Sequence, residues 1–212
     1  MLFRSVVGAV KHPLATTDFS SFLLQAQSSG AKVIGLANAG LDTQNTIKQA
    51  AEFGITQGGQ RLAGLLFTLA EVHGLGLETA QGLTLTESFY WDRTDASREF
   101  ANRFKERTGR MPNMVQAGTY SGVLHYLKAI KEAGTDETEA VAAKMRELPV
   151  SDAFAENGRV GPNGRMISDV YLMQVKSPAE SKGEWDYYDI KATIPGDQAY
   201  LDPAKSGCPL VR

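Results

Sequence analysis

The sequence is poor in the residues that build disulfide frameworks and metal centres. Its 212 residues include one cysteine and three histidines. The single cysteine, Cys208, can form no intrachain disulfide and no zinc site made of several cysteines. His12, His73 and His125 leave little material for a histidine-based centre. The sequence therefore predicts no metal site.

Excess charge and long apolar runs are also lacking. The formal net charge is −2, whereas nucleic-acid binders carry a basic excess that neutralises phosphates. No apolar run approaches the ~20 residues of a membrane span, and the first residues lack the pattern of a signal peptide. We expect no nucleic-acid partner and no stable membrane insertion. With 42% hydrophobic residues, the chain can form one large domain or two small lobes.

In the first half, β-prone runs alternate with helical patterns. Strands are expected near 5–10, 31–37, 61–68 and 82–86. Between the first two, Phe19, Phe22, Leu23 and Ala26 recur at helical spacing, and a second helix begins near Asp42. This alternation predicts an α/β fold with a doubly wound parallel sheet. Because the chain opens directly on a strand-like run, we expect an open reading frame truncated at its front.

The second half has a different pattern. A crossover near 88–94 leads into three successive helices, the first capped by Thr94, which predict a partial second lobe. After residue 155 a hairpin is expected over 158–165, followed by strands over 170–175 and 185–190.

Ligands of open α/β sheets bind outside the carboxyl ends of the strands. Four loops meet this condition, namely 11–16, 38–41, 67–71 and 87–92. They offer an amide, a hydroxyl, an apolar wall and two flat aromatic faces. The predicted ligand-binding residues are Asn38, Ala39, Phe67, Thr68, Tyr90 and Trp91.

Each side chain in this set has a structural alternative. Asn38 can satisfy the backbone of its own turn, and Thr68 can cap the segment that follows it. Tyr90 and Trp91 can pack the crossover. His12 lies in a site-facing loop and is the best histidine candidate.

Catalytic motifs are scarce. Glu71 and His73 stand two positions apart, so on a helix they do not face one another, and we expect a solvated pair. Gly74 and Gly76 form only part of a dinucleotide fingerprint, and neither a P-loop nor a nucleophile elbow occurs. The sequence predicts no catalytic residue and no cofactor, and the protein is not expected to be an enzyme.

Three stretches resemble a known family: 10–24, the strand-like run 31–38 and the helix-like run 47–54. They are similar to the second lobe of type I periplasmic binding proteins, and closest to the branched-chain amino-acid (leucine)-binding type of ABC transporter substrate-binding protein. The similarity covers nearly the whole chain but only the C-terminal part of the family. It implies a two-lobed clamp joined by three crossovers, in which 1–91 belong to the second lobe, 92–155 return as helices to the first, and 156–212 rejoin the second.

The resemblance implies a solute-binding component of an ABC importer, located in the periplasm, whose partners are a small solute and the permease subunits. Amino-acid binders of this type carry an acidic residue after the strand that matches 61–66, where this chain has Phe67 and Thr68. They also carry an aromatic residue where it has Asn38 and Ala39. We therefore expect an aromatic or aliphatic carboxylate or an amide. An amino-acid-like solute stays open as the alternative if Glu71 or Glu87 restores the missing negative charge.

Two other functions are compatible with the sequence. The same fold could serve as the ligand-sensing domain of a signalling or regulatory protein. An α/β enzyme would use His12 with Glu71 or Asp92, and its turnover would disappear in His12→Ala.

Overall fold

The computed structural model describes residues 5–209 and residue 211. The chain packs into two compact units. Unit 1 comprises the described residues up to Thr86 together with Met173–Ile190, and unit 2 comprises Glu87–Leu172 and the described residues from Lys191 onward. The chain thus passes between the units three times. The assignment of 1–91, 92–155 and 156–212 to two lobes stays a prediction.

Helices and strands alternate through the first half, as the sequence predicts. The helices are α1 (Ser20–Ser28), α2 (Gly40–Glu52), α3 (Leu69–Leu75), α4 (Leu77–Ala80), α5 (Asp95–Thr108), α6 (Met114–Ala133), α7 (Thr138–Glu147) and α8 (Gly196–Ala199), with a 3₁₀ turn at Pro203–Lys205. The strands are β1 (Val33–Leu36), β2 (Arg61–Gly64), β3 (Thr84–Glu87), β4 (Arg159–Val160), β5 (Met166–Ile167), β6 (Val170–Val175) and β7 (Tyr188–Ile194).

A five-stranded sheet has the order β1-β2-β3-β6-β7. β1 pairs with β2 in parallel, with Val33 opposite Arg61, and β2 pairs with β3 in parallel, with Gly64 opposite Leu85. Parallel neighbours need a crossover, which α2 supplies between the first two strands. The predicted mixed α/β fold with a parallel-rich sheet is confirmed. The predicted hairpin is also present, since β4 and β5 pair antiparallel.

The long helices of unit 2 begin and end where their sequence signals stand. Thr94 Oγ1 accepts a hydrogen bond from the amide of Ser97 at 3.1 Å, and Asn113 caps α6 in the same way through the amide of Val115. Gly109 and Gly134 follow α5 and α6 in the left-handed conformation, with φ of 76° and 66°. Glycine adopts this conformation without the steric penalty of a Cβ, so both helices stop there.

Each unit has its own core. In unit 1, Phe19, Ile47 and Phe67 are each 1% exposed. In unit 2, Phe89 and Phe154 stack in parallel with their centroids 6.3 Å apart, within a cluster that includes Phe100. Among the described residues, no helix is long and apolar enough to cross a membrane.

Three predicted strands are wrong in whole or in part. The run predicted over 61–68 is a strand only over Arg61–Gly64. Residues 5–10 form no strand and are exposed, with Val6 86% and Val7 61% accessible. A β-prone run becomes a strand only when a neighbour supplies ladder hydrogen bonds, and no described strand pairs with 5–10. The run predicted over 185–190 becomes strand only at Tyr188, because Trp185 has a φ of 72° that interrupts the extended backbone.

Candidate functional site

The loop after β1 carries the most connected polar group among the predicted site residues, the side-chain amide of Asn38. Its oxygen accepts a hydrogen bond from the hydroxyl of Thr43 at 2.9 Å. Its nitrogen lies 3.2 Å from Thr46 Oγ1 and 3.2 Å from His12 Nε2. Asn38 is half-buried, whereas Thr43 is fully buried. These contacts hold the amide in one orientation at the carboxyl end of β1.

His12 reaches this amide from the loop that precedes α1. Its Nδ1 lies 2.8 Å from the carbonyl oxygen of Pro13. The edge of its ring meets Phe19 at a centroid distance of 4.9 Å, and Phe22 lies 6.1 Å away. His12, the best histidine candidate from the sequence, therefore lies against Asn38, one of the predicted site residues. The rings of Phe19 and Phe22 and the Asn38 amide hold its imidazole in place.

The amino end of α2 lies in the same loop. Its N-cap is Ala39, and no side chain caps the helix there. Gly40 has a φ of 60°, a left-handed conformation that glycine adopts without strain. The carboxylate of Asp42 accepts the amide of Ala15 at 3.2 Å and is 8% exposed. An uncapped helix start presents backbone N–H groups that need acceptors.

The two predicted site residues in the loop after β2 are both buried within unit 1. Phe67 is 1% exposed, so its ring packs inside unit 1. Thr68 is 7% exposed and forms a capping box with Glu71, whose carboxylate accepts the Thr68 amide at 2.7 Å. Glu71 therefore serves the start of α3.

Tyr90 and Trp91 belong to unit 2, whereas the other four predicted residues belong to unit 1. Their rings meet edge to face with centroids 6.0 Å apart, and Tyr90 is 4% exposed. Trp91 packs against the core cluster of that unit, and its carbonyl oxygen accepts the hydroxyl of Ser97 at 3.0 Å. Both residues thus contribute to the packing of unit 2.

The other carboxylates considered from the sequence are also engaged. Glu87 is 1% exposed and accepts the amide of Met114, the first residue of α6, at 3.3 Å. A buried carboxylate is favoured at a helix amino end by the helix dipole. Asp92 forms an ion pair with Arg98 at 3.0 Å.

The remaining histidines have structural partners. His73 stacks on Trp185 with centroids 3.9 Å apart, and its Nδ1 lies 2.8 Å from the hydroxyl of Tyr187. His125 is 4% exposed and its Nε2 lies 2.8 Å from the carbonyl oxygen of Met145. Within the described part of the chain, no group of three or more His, Cys, Asp or Glu residues could hold a metal ion.

Sequence reasoning missed Thr43 and Thr46. They stand three positions apart in the first turns of α2, so both lie on the helix side that faces the loop holding Asn38. Two hydroxyl residues three positions apart at the start of a helix, directly after a strand that is followed by a polar residue, would have indicated them.

Comparison with known proteins supports the resemblance. The model of a family described as periplasmic binding protein matches residues 3–184. A periplasmic binding protein from Burkholderia mallei is 50% identical, with a TM-score of 0.89 over 97% of this chain and 54% of that one. A branched-chain amino acid ABC transporter periplasmic ligand-binding protein from Burkholderia xenovorans LB400 is 41% identical, with a TM-score of 0.90 over 97% of this chain and 55% of that one.

More distant structures share the fold. A solute-binding protein of an ABC transporter from Rhodopseudomonas palustris, solved with 4-hydroxybenzoate, is 22% identical, with a TM-score of 0.76 over 90% of this chain and 52% of that one. This chain thus spans about half the length of the relatives it matches. No curated protein matches it. The family match and the Burkholderia relatives together establish that this chain belongs to the periplasmic binding protein family.

Proposed function

We propose that the chain is part of a solute-binding component of an ABC importer. Its family consists of binding proteins, and the relative from Burkholderia xenovorans is described as an ABC transporter ligand-binding protein. Such a protein closes on its solute and releases it chemically unchanged, so it acts without catalytic residues. Its partners would be the solute and the permease subunits, and it would work in the periplasm.

The proposed ligand contacts are Asn38, Ala39, Phe67, Thr68, Tyr90 and Trp91. Among them, Asn38 carries the argument. A side-chain amide has two N–H donors and two acceptor lone pairs. Both donors of Asn38 face internal partners, and one lone pair accepts from Thr43. The remaining lone pair on Oδ1 can only accept, so a ligand that meets Asn38 must present an O–H or N–H group.

The solute class follows from the acids near the site. Glu71 accepts the Thr68 amide at the start of α3 and Asp42 accepts the Ala15 amide, so both carboxylates already have a structural role. The uncapped start of α2 at Ala39 instead suits an acceptor. We therefore propose a small aromatic or aliphatic carboxylate, or an amide, that carries a hydrogen-bond donor. The 4-hydroxybenzoate bound by the Rhodopseudomonas protein has this chemistry and is a suitable probe.

Titration calorimetry of the chain with 4-hydroxybenzoate, benzoate and L-leucine tests this proposal. We expect 4-hydroxybenzoate to bind more tightly than benzoate, which lacks the donor, and more tightly than L-leucine. Asn38→Ala should weaken 4-hydroxybenzoate by about tenfold, the effect of one hydrogen bond to a partly buried acceptor. Asn102→Ala, on the exposed surface of α5, is the matched control. Tightest binding of L-leucine, or equal affinities in Asn38→Ala and the parent chain, would overturn the proposal.

A further inference from the structure

The contacts of His12 demand one protonation state. The side-chain nitrogen of Asn38 carries only donors, so His12 Nε2, 3.2 Å away, must be the bare, accepting nitrogen. The carbonyl oxygen of Pro13 carries only lone pairs, so His12 Nδ1, 2.8 Å away, must carry the proton and donate. Two partners on opposite sides of the ring thus select the same neutral tautomer.

The orientation of the Asn38 amide is set independently by α2. The hydroxyl of Thr46 donates to the carbonyl oxygen of Asp42 at 2.7 Å, so towards Asn38 it can only accept. The amide nitrogen must therefore face Thr46. Turning the amide over would place Asn38 Oδ1 against the oxygen of Thr46, with no hydrogen between them.

The surroundings of His12 offer few charges. Phe19, the N-cap of α1, and Phe22, in its first turn, contribute rings, and neither α1 nor β1 contains a titratable side chain. α2 carries Asp42, Lys48 and Glu52, and of these Asp42 is held by the Ala15 amide. In the loop of His12 itself, Lys11 is exposed, and the pKa of Asp18 is lowered by its hydrogen bonds with Ser20.

We propose that His12 is a positioning residue for the ligand-binding loop. In its neutral Nδ1–H tautomer it accepts from Asn38 and aims the free lone pair of Asn38 Oδ1 at the ligand, so that solute binding weakens when the imidazole is protonated. The inference rests on the proposed solute-binding function and adds to it a dependence on pH.

Protonation has a definite consequence here. A proton on His12 Nε2 would put two donors face to face across the 3.2 Å contact with Asn38. The contact must then open, because Thr46 opposes the turned amide. Protonation of the imidazole would therefore remove one of the contacts that hold the Asn38 amide in place.

The first test is spectroscopic and needs no ligand. Long-range ¹⁵N–¹H correlations of the chain at pH 8 should show His12 protonated on Nδ1 and bare on Nε2. On acidification to pH 5, the side-chain NH₂ resonances of Asn38 should shift in the parent chain but stay in place in His12→Gln, whose Oε1 can accept and cannot titrate. An Nε2–H tautomer at pH 8, or equal shifts in both proteins, would overturn the inference.

The second test measures affinity for 4-hydroxybenzoate between pH 8 and pH 5, a range in which its carboxylate stays mostly ionised and its remaining titration affects the parent chain and the variants alike. The parent chain should lose about tenfold in affinity, the equivalent of one hydrogen bond to a polar ligand group. His12→Gln should keep its affinity throughout, and His12→Leu should bind weakly at both ends. His73→Gln, which removes the exposed histidine of the same unit, should retain the parent profile.

The two tests separate the two proposals. Absence of binding by any probe, together with the expected tautomer and Asn38 shifts, would refute solute binding and retain the positioning role of His12. Binding with a pH profile that His12→Gln leaves unchanged would retain solute binding and refute that role. A thermal melt of each variant confirms that the measured protein is folded.

Discussion

At the scale of single residues, the end of β2 leaves no room beside a predicted ligand contact. A Cβ on Gly64 would lie 2.9 Å from the Cβ of Phe67, closer than real Cβ contacts come. The Phe67 ring is 1% exposed, so it has no free space in which to retreat. The glycine is therefore required for the packing of the loop that follows β2.

We expect Gly64→Ala to lower the free energy of unfolding by about 1–3 kcal/mol, because the added methyl forces Phe67 off its position. Urea denaturation measures the change. Gly74→Ala is the matched control, since a Cβ there meets nothing within 4 Å and alanine is the better helix former. Equal stability of Gly64→Ala and the parent chain would show that the Phe67 loop can shift freely.

The arrangement of the candidate site was predictable only in part at this scale. Asn38, Ala39, Phe67 and Thr68 follow from the rule that ligand loops stand at the carboxyl ends of strands. The amide network does not follow from it, because His12 is 26 residues from Asn38 in the chain. No local pattern specifies which ring nitrogen meets which amide. That contact exists because α1 and α2 pack together, which is a property of the folded unit.

At the scale of elements, periodicity predicted the long helices α1, α2, α5, α6 and α7 and the positions of β1, β2 and β3, but it failed where backbone pairing decides. Val6 and Val7 have the β-branched side chains that strands favour, yet they stay exposed. Side-chain patterns report burial and propensity, whereas a strand also needs an edge to pair with. Trp185 shows a second limit, because one left-handed residue moved the start of β7 to Tyr188.

The segment between β6 and β7 depends on a partly buried ion pair. Asp186 accepts from the ammonium group of Lys176 and from the amide of Lys182 at 2.8 Å. Burial raises the pKa of Asp186, whereas the hydrogen bonds from Lys176 and Lys182 lower it. The lowering is the larger effect, so the pKa of Asp186 lies below its ordinary value. A lowered pKa in the folded state means that the ionised carboxylate stabilises the fold.

This stabilisation has a defined pH window. It is fully present above the pKa of an unfolded aspartate, about 3.9, and is lost as the pH falls through the lower pKa of the folded state. Asp186→Asn should cost about 1–3 kcal/mol at pH 7, with the difference from the parent chain shrinking below about pH 4. Asp136→Asn, in the exposed loop before α7, is the control. Denaturant melts at pH 7 and pH 3 measure this difference in unfolding free energy. If Asp186→Asn lowered the unfolding free energy equally at both pH values, the ionised carboxylate would not be the stabilising form.

The start of α5 offers a second element-scale prediction. Thr94 accepts from the Ser97 amide, and its own amide donates to Ser97 Oγ at 2.8 Å. Thr94→Ala should lower the free energy of unfolding by about 1 kcal/mol, because it removes an acceptor for an amide of the first turn. Thr119→Ala, in the exposed middle of α6, is the control and should be neutral or stabilising. A melt that ranks the two variants equally would exclude a capping role for Thr94.

At the scale of the whole molecule, α6 shows an unusual distribution of residues. Its buried stripe consists of Ala117, Ser121, His125 and Ala129, which are small or polar. The stripe Val115, Val123 and Leu127, at spacings of four and eight, is more than half exposed. Contiguous apolar surface of this kind is rare on monomeric soluble proteins. The helix thus buries its less apolar face within unit 2 and leaves its more apolar face exposed to solvent.

We therefore expect the 212-residue chain to self-associate reversibly at micromolar concentrations. Sedimentation velocity should show species heavier than the 22.9 kDa monomer. Replacing Val123→Lys and Leu127→Glu together should shift the chain towards monomer, because two charges then interrupt the apolar stripe. Lys131→Glu, on the exposed last turn of the same helix, changes charge without touching the stripe and should associate as the parent does. A parent chain that stays monomeric and binds 4-hydroxybenzoate with submicromolar affinity would show that the exposed face of α6 is harmless in solution.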